Sequence, residues 1–411
     1  MRRAQNIDGV KKVNRSLILN LLLKHKVISR TNLVEESGLN KATITNIVSE
    51  FKGMGVIQEH ESFKGNNGRK INGLSLDLKD ASIITIRINR EEILFAICDV
   101  HADIVELEKA KINESTTIAE LLDIIFNGVK KMMNKCEFNK ILGISISMIG
   151  PLIIKENRTI ANVYDMPEFA KVDFREELQS QFPDVKVYIE HDTNVSAINE
   201  WNDYVKETKQ SKGVMLNINF EVGIGGGIVI DGALLRGSIG LAGEIGHMGI
   251  NFNSKKVKNK SQGIFESYAS PREILESIEE RLYEFPESKI TENSDLQEIY
   301  QLYDEDDPLA VWAVNKMCWY LSYGIRNLLY LINPNVIVLG DEVIRSEKFL
   351  SQLKANLYQS LPADVIDSVD LKFSKYKEDG ILRGAALVVI NNYIESLNIV
   401  DFINRNYAAD L

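Results

Sequence analysis

Residues 29–54, SRTNLVEESGLNKATITNIVSEFKGM, limit what this chain can fold into more than any other stretch. Ser29 is placed to cap a short helix over residues 30–37, Gly38 ends it, and Asn40 can cap a second helix running to about Met54. This spacing predicts a helix-turn-helix. On the second helix Ile44, Ile47, Val48 and Phe51 share one face, leaving Lys41, Thr43, Thr45, Asn46 and Ser49 on the other. Lys and Thr suit phosphates, Asn matches the N6/N7 edge of adenine, and a Thr methyl meets that of thymine. Arg30 and Thr31, opening the first helix, add a cation and a hydroxyl to the same candidate DNA contacts. For a helix pair alone, the alternative is an amphipathic unit with one solvated side.

The flanks favour a reader of duplex DNA. Before the pair, residues 13–25 carry Leu17, Ile18, Leu21 and Leu22 at helical spacing, enough to close a three-helix core. After it, Gly55 stops the helix, residues 56–60 read as a strand, 62–68 (SFKGNNG) as a polar turn and 69–76 as a returning strand. A basic hairpin at this place is a wing: Lys64, Asn66, Asn67, Arg69 and Lys70 can reach the adjacent minor groove or backbone, against the alternative of a solvated turn. Asn67, Arg69 and Lys70 complete the candidate DNA set.

The total charge of −10 argues against a nucleic-acid partner for the chain as a whole, but it averages unlike parts. Residues 1–80 hold 14 Lys and Arg against 8 Asp and Glu, a balance of +6, which leaves −16 for the rest. DNA contact is therefore expected in the head alone, with affinity that falls steeply as salt rises. With 411 residues, 45% hydrophobic and 26% charged, the chain is expected to form two or three ordinary globular domains. Cys98, Cys136 and Cys318 are odd in number and far apart, which suggests neither a disulfide framework nor a metal site. Without a signal sequence or an apolar run approaching ~18 residues, the expectation is a cytoplasmic protein with no membrane partner.

From Asp80 the texture becomes short apolar strands alternating with helices, an α/β pattern. Residues 83–88, 92–99 and 103–111 read as a meander, 117–134 as an amphipathic helix, and 141–148 as a strand ending at Gly150 and Pro151. A helix over 173–181 leads to a strand over 185–189, which delivers Glu190, His191, Asp192, Thr193 and Asn194 at its carboxyl end, where ligands gather in open α/β sheets. A plain helix cap is the alternative, with Asp192 capping a helix over 195–204. Next come GVMLNINFEVGIGGGIVIDGALLRGSIGLAGEIGHMGI and the string ESYAS. The glycines lack the spacing of a dinucleotide turn or a P-loop, so close strand packing is their ordinary reading. Residues 308–331 and 382–394 read as helices and 336–339 as a strand.

GIGGGIVIDGALLRGSIGLAGEIGHMGI, with EHDTN before it and NPNVIVLGDEV and GILRGAAL after it, resembles the repressor, open reading frame and kinase family; the head resembles its xylose-repressor-type members. The resemblance implies a winged helix-turn-helix over residues 1–77 followed by a two-lobed actin-like, sugar-kinase-type (ribonuclease H-like) α/β body. Its lobes would span 78–192, completed by a C-terminal helix of about 382–411, and 193–381, with a sugar bound in the cleft. It also implies a homodimer or homotetramer on a double-stranded DNA operator. Carried over position by position, Asn162, Asp192, Glu244, His247 and Glu266 fall on sugar contacts, and Asp192 on the base of the kinase members. His191 stands where the family usually has Asn and joins the candidate sugar set.

Other departures touch the nucleotide. Arg87 takes the place of the kinases' first-loop Asp, Glu221 and Val222 replace the Gly and Thr of the second loop, and Asp341 replaces a glycine near adenosine. Phosphoryl transfer loses its cradle, so no enzyme activity and no cofactor are expected. The family's zinc cysteines fall on Val257, Asn259 and Ile264, so no metal is expected. Lys255, Lys256, Lys258 and Lys260 read as a solvated run. The expected function is a transcriptional regulator, a repressor of carbohydrate-related genes, that senses a sugar. The competing readings are a sugar kinase fused to a DNA-binding head and a constitutive regulator with a non-functional pocket.

Overall fold

The computed structural model describes residues 7–25, 27–64, 70–78, 81–113, 115–136, 140–156, 158–163, 166–253 and 263–408. The chain divides into two compact units: 1–147, 174–189 and 385–411 form the first, and 148–173 with 190–384 form the second.

The first unit begins with α1 (Ile7–Lys24), the short strand β1 (Ile28–Ser29), α2 (Arg30–Ser37), α3 (Lys41–Gly53) and the hairpin β2 (Ile57–Lys64) and β3 (Lys70–Leu76). Side-chain caps fix the helix pair. Ser29 Oγ accepts the Asn32 N–H at 3.0 Å, Gly38 turns the chain at φ 69°, and Asn40 Oδ1 accepts the Thr43 N–H at 2.8 Å. Ile44, Ile47, Val48 and Phe51 of α3 are buried along with Ile18 and Leu22 of α1 and Leu33 of α2, each such burial stabilising by about 1.5–3 kcal/mol. Arg15 on α1 adds a clamp, donating from Nε to Glu50 of α3 at 3.2 Å. The strand between helices then pairs with the hairpin, Ile28 opposite Leu74, giving the sheet order β1-β3-β2. These elements are those of a winged helix-turn-helix.

The meander follows as β4 (Ala81–Ile88), β5 (Glu92–Cys98) and β6 (Ile104–Lys111), then α4 (Ile118–Lys135) and β7 (Lys140–Met148). Thr117 and Glu120 form a capping box at the start of α4. The chain enters the second unit for the hairpin β8 (Leu152–Lys155) and β9 (Arg158–Ala161), and returns for α5 (Phe174–Gln181) and β10 (Val187–His191). The resulting five-stranded sheet has the order β10-β7-β4-β5-β6. β4 is buried throughout, whereas β6, at the edge, alternates half-buried and exposed residues.

The second unit repeats the scheme. α6 (Asp192–Thr208) precedes β11 (Val214–Phe220), β12 (Ile224–Ile230) and β13 (Ala233–Leu234), which pair antiparallel. After α7 (Glu266–Ala269), α8 (Pro271–Arg281), α9 (Leu296–Asp304) and α10 (Pro308–Ile332) come β14 (Val336–Asp341), α11 (Glu347–Tyr358), α12 (Ala363–Asp367) and β15 (Asp370–Phe373). β14 and β15 add to β11 in parallel, so this sheet reads β13-β12-β11-β14-β15. Its core gathers Met317, Leu321, Ile325 and Leu328 of α10 with Ile337 and Leu339 of β14. The final helix, α13 (Glu378–Ala408), starts in the second unit and passes into the first at Ala385.

Several boundaries differ from expectation. α1 starts at Ile7 rather than residue 13, and α13 extends on both sides of 382–394. α6 begins at Asp192, not residue 195: the strand runs straight into the helix, His191 occupies the N-cap without a side-chain bond, and Asp192 is therefore no cap. The glycines of β12 do serve close packing. A Cβ on Gly227 would lie 2.5 Å from the Thr193 carbonyl oxygen and 2.4 Å from Ala197 Cβ, so bare backbone is what lets α6 rest on this strand.

Candidate functional site

On the head, α3 exposes Lys41, Thr45, Asn46 and Ser49, with Thr43 half-buried. Thr45 Oγ1 donates back to the Lys41 carbonyl at 2.9 Å, which leaves its methyl available for contact. Thr31 on α2 is exposed. Arg30 is already engaged, donating from Nη2 to Glu59 of β2 at 2.6 Å. Lys52 donates to the same carboxylate at 2.7 Å, and the two cations hold the Glu59 pKa below its ordinary value. Asn67 and Arg69 lie outside the described residues; Lys70 opens β3 opposite Lys64.

The second concentration of polar chemistry lies wholly in the second unit, around the start of α6. Asp192 is buried, and His191 beside it keeps 14% of its side chain exposed. The His191 ring sits over Gly150, where a Cβ would fall 2.2 Å from Cδ2. Its Nδ1 is 2.6 Å from Thr193 Oγ1, and its Nε2 is 3.5 Å from Asp192 Oδ1. The second separation is too long for a hydrogen bond, yet one ligand hydroxyl can reach both atoms at once. Asn162, exposed after β9, is tied beside this ring through its N–H, which donates to the Pro151 carbonyl at 2.9 Å.

Glu244, half-buried in the glycine-rich loop after β13, brings the rest together. Burial pushes its carboxyl pKa up; the fields of His191 and His247 oppose that push, and Asp192 and Glu266 add to it. All four therefore act on one carboxyl. Glu266, at the start of α7, aims Oε2 at the backbone of two glycines: a Cβ on Gly223 would come within 2.7 Å of it and one on Gly246 within 3.0 Å. Carboxylates and imidazoles so grouped can accept from and orient the adjacent hydroxyls of a polyol.

One supporting group had no role in the sequence reading. Glu190 accepts from Arg236 Nε at 2.8 Å, from Asn194 Nδ2 at 2.8 Å and from the His191 N–H at 3.1 Å. Those bonds occupy its carboxylate and fix the end of β10. The sequence signal was an acid in EHDTN and an arginine in LLRGS, 46 positions apart, which periodicity cannot connect.

The loops that would hold a nucleotide are otherwise employed. Asn89 Oδ1 accepts the N–H groups of Glu91 at 2.9 Å and Glu92 at 2.8 Å, taking donors a phosphate would need, and Arg87 just before it is buried. At the β11–β12 turn the Glu221 N–H donates to the Gly223 carbonyl at 3.1 Å and Val222 is exposed. Asp341 keeps a left-handed φ of 55° and accepts from Asn219, so a carboxylate stands where glycine is usual. Among the described residues, no group of three or more His, Cys, Asp or Glu is placed to hold a metal, and no helix is long and apolar enough to cross a membrane. Lys255, Lys256, Lys258 and Lys260, with Val257 and Asn259, lie outside the described residues.

Comparison with known proteins matches residues 83–392 to the ROK family. The xylose repressor of Caldicellulosiruptor bescii is 27% identical over 94% of this chain and 97% of its own length. The DNA-binding transcriptional repressor Mlc of Escherichia coli is 25% identical over 95% and 96%. Among solved structures, a ROK family transcriptional regulator homologous to E. coli Mlc superposes with a TM-score of 0.77 at 21% identity, covering 95% of this chain and 99% of its own. The ROK hexokinase of Thermus thermophilus gives 0.60 at 20% identity, covering 74% of this chain and 97% of its own.

Proposed function

This chain belongs to the ROK family, and on that premise we propose that it is a DNA-binding transcriptional regulator, a repressor of carbohydrate-related genes that responds to a sugar held by its second unit. The observation that carries this reading is coverage. Relatives named as repressors match 94–95% of the chain, head included, whereas the hexokinase fold covers 74%. Xylose, named in several of those relatives, is the first sugar to try.

In this reading Lys41, Thr43, Thr45 and Asn46 meet the major groove, with Thr31, Asn67, Arg69 and Lys70 on the flanking backbone or minor groove. Arg30 would exchange Glu59 for a phosphate. Asn162, His191, Asp192, Glu244, His247 and Glu266 hold the sugar hydroxyls. The chain is a regulator rather than a phosphotransferase, in keeping with the Asn89-closed first loop and the Glu221 and Asp341 carboxylates. It acts in the cytoplasm as a homodimer or homotetramer, because two heads must meet operator half-sites at a fixed spacing. A sugar shifts operator occupancy only by its differential affinity for the two arrangements of those heads.

The test has two stages. A thermal-shift screen of neutral sugars on the purified protein should yield a hit, and that hit should change operator mobility in gel shifts. A chain that ignores duplex DNA at low salt would falsify the regulator reading. Asp192, retained where the kinase members keep their base, is the one feature favouring catalysis. ATP turnover that stops in Asp192→Asn would establish that alternative.

A further inference from the structure

We propose that Lys52 is the counter-charge that lets Arg30 change partners: it keeps Glu59 neutralised while Arg30 leaves that carboxylate for a DNA phosphate, and it does so without touching the DNA itself. The inference rests on the reading of the head as the DNA-contacting part of the chain, and adds to it a positioning residue. Three elements converge on one carboxylate. Arg30 opens α2, Lys52 lies in the last turn of α3, and Glu59 stands on β2. The two cations take separate oxygens: Arg30 Nη2 donates to Glu59 Oε1 at 2.6 Å, and Lys52 Nζ donates to Oε2 at 2.7 Å. Either bond can therefore break while the other stays.

Which cation leaves follows from where each is anchored. Lys52 lies at the carboxyl end of α3, where the partial negative charge of the last carbonyls favours a cation; Arg30 lies at the amino end of α2, where the first N–H groups oppose one. Those N–H groups attract a phosphate, and a guanidinium fork matches phosphate oxygens in pairs, which an ammonium does not. A phosphate arriving at the head thus draws off Arg30 in preference to Lys52. The Glu59 side chain is only 28% exposed. Stripped of both cations beside a bound phosphate, this partly buried carboxylate would be poorly hydrated and repelled by a like charge. Lys52 removes that cost by staying.

Attraction to phosphates is independent of sequence, so the probe is a mixed-sequence duplex titrated against the full-length protein by fluorescence anisotropy over a range of salt. A parent that ignores this duplex at low salt sinks the DNA-contacting reading and the inference with it; every other failure is specific to Lys52. Lys52→Met should weaken binding about threefold and lower the salt slope by about one, because Arg30 then stays on Glu59. Arg30→Met should do the same alone and add nothing to Lys52→Met. Glu59→Gln removes the charge that needs holding. In that background Lys52→Met should leave affinity and slope where Glu59→Gln alone puts them. Equal losses from Lys52→Met in both backgrounds make Lys52 a direct phosphate contact and overturn the proposal, as does no loss in the parent. If Glu59→Gln lowers the melting temperature of the head, the Arg30 and Lys52 variants decide by themselves, additive losses overturning the proposal.

Discussion

Helices α3 and α6 each follow an extended residue and open with polar side chains, yet they dispose of those side chains in opposite ways. α3 buries only Ile44, Ile47, Val48 and Phe51 and leaves its polar face to solvent. α6 buries Asp192, Thr193, Asn194, Ser196, Asn199 and Glu200 along with Val195, Ala197 and Trp201. Each buried polar group needs an internal answer: Ser196 accepts from Asn217 at 3.0 Å, and Glu200 accepts from Ser374. A wet polar face can meet a polymer arriving from solution. A buried one is committed to its own fold or to a small ligand that enters it.

The strongest way to break this contrast is to remove the support of the wet face. Phe51→Ala should destabilise the head by about 3–5 kcal/mol and abolish operator binding, while sugar binding, measured calorimetrically, persists. The reverse experiment is Gly227→Val, whose side chain meets the Thr193 carbonyl and Ala197. It should cost about 1–3 kcal/mol in chemical denaturation and eliminate sugar binding with operator affinity intact. Loss of both functions in either variant would dissolve the distinction.

Finer substitutions sharpen it. Asn46→Ala should cost about 1–3 kcal/mol on the cognate operator and relax preference at one base pair, as read from binding to a set of single-base variants. Lys41→Ala should weaken all sequences alike and lower the salt slope by about one. Glu244→Gln addresses the buried side through pH. Burial raises the Glu244 pKa above 4.5, so this group favours folding while protonated and loses that contribution as pH rises through its folded value. The variant should therefore melt with the parent near pH ~4 and slightly above it near pH ~7, with the gap opening between. A gap that widens toward acid would contradict the assigned cause.

The same contrast explains what could be read in advance. Ser29, Gly38 and Asn40 announced helix ends because caps act within a few residues, and the α3 core face followed from period alone. The meander and β7 were legible as apolar runs. The start of α6 was not, because a helix that buries polar residues on several sides has no amphipathic stripe to count. The hairpin of β8 and β9 and the short elements α12 and β15 also escaped, four or five residues being too few for a period to register. Around the start of α6, the motif strings named His191, Asp192, Glu244 and Glu266, but the pairing of Glu190 with Arg236 depends on a meeting across 46 positions that only tertiary structure supplies.

The first unit is assembled from three stretches of chain, the last of them 385–411. During synthesis, the portion of α13 that packs Val389 beside Gly143 emerges only after all of residues 190–384 has been translated. At roughly 5–20 residues per second, the nascent first unit waits on the order of ten seconds or longer on the ribosome with part of its apolar interior unfilled. Chaperone dependence should therefore concentrate on this unit during translation.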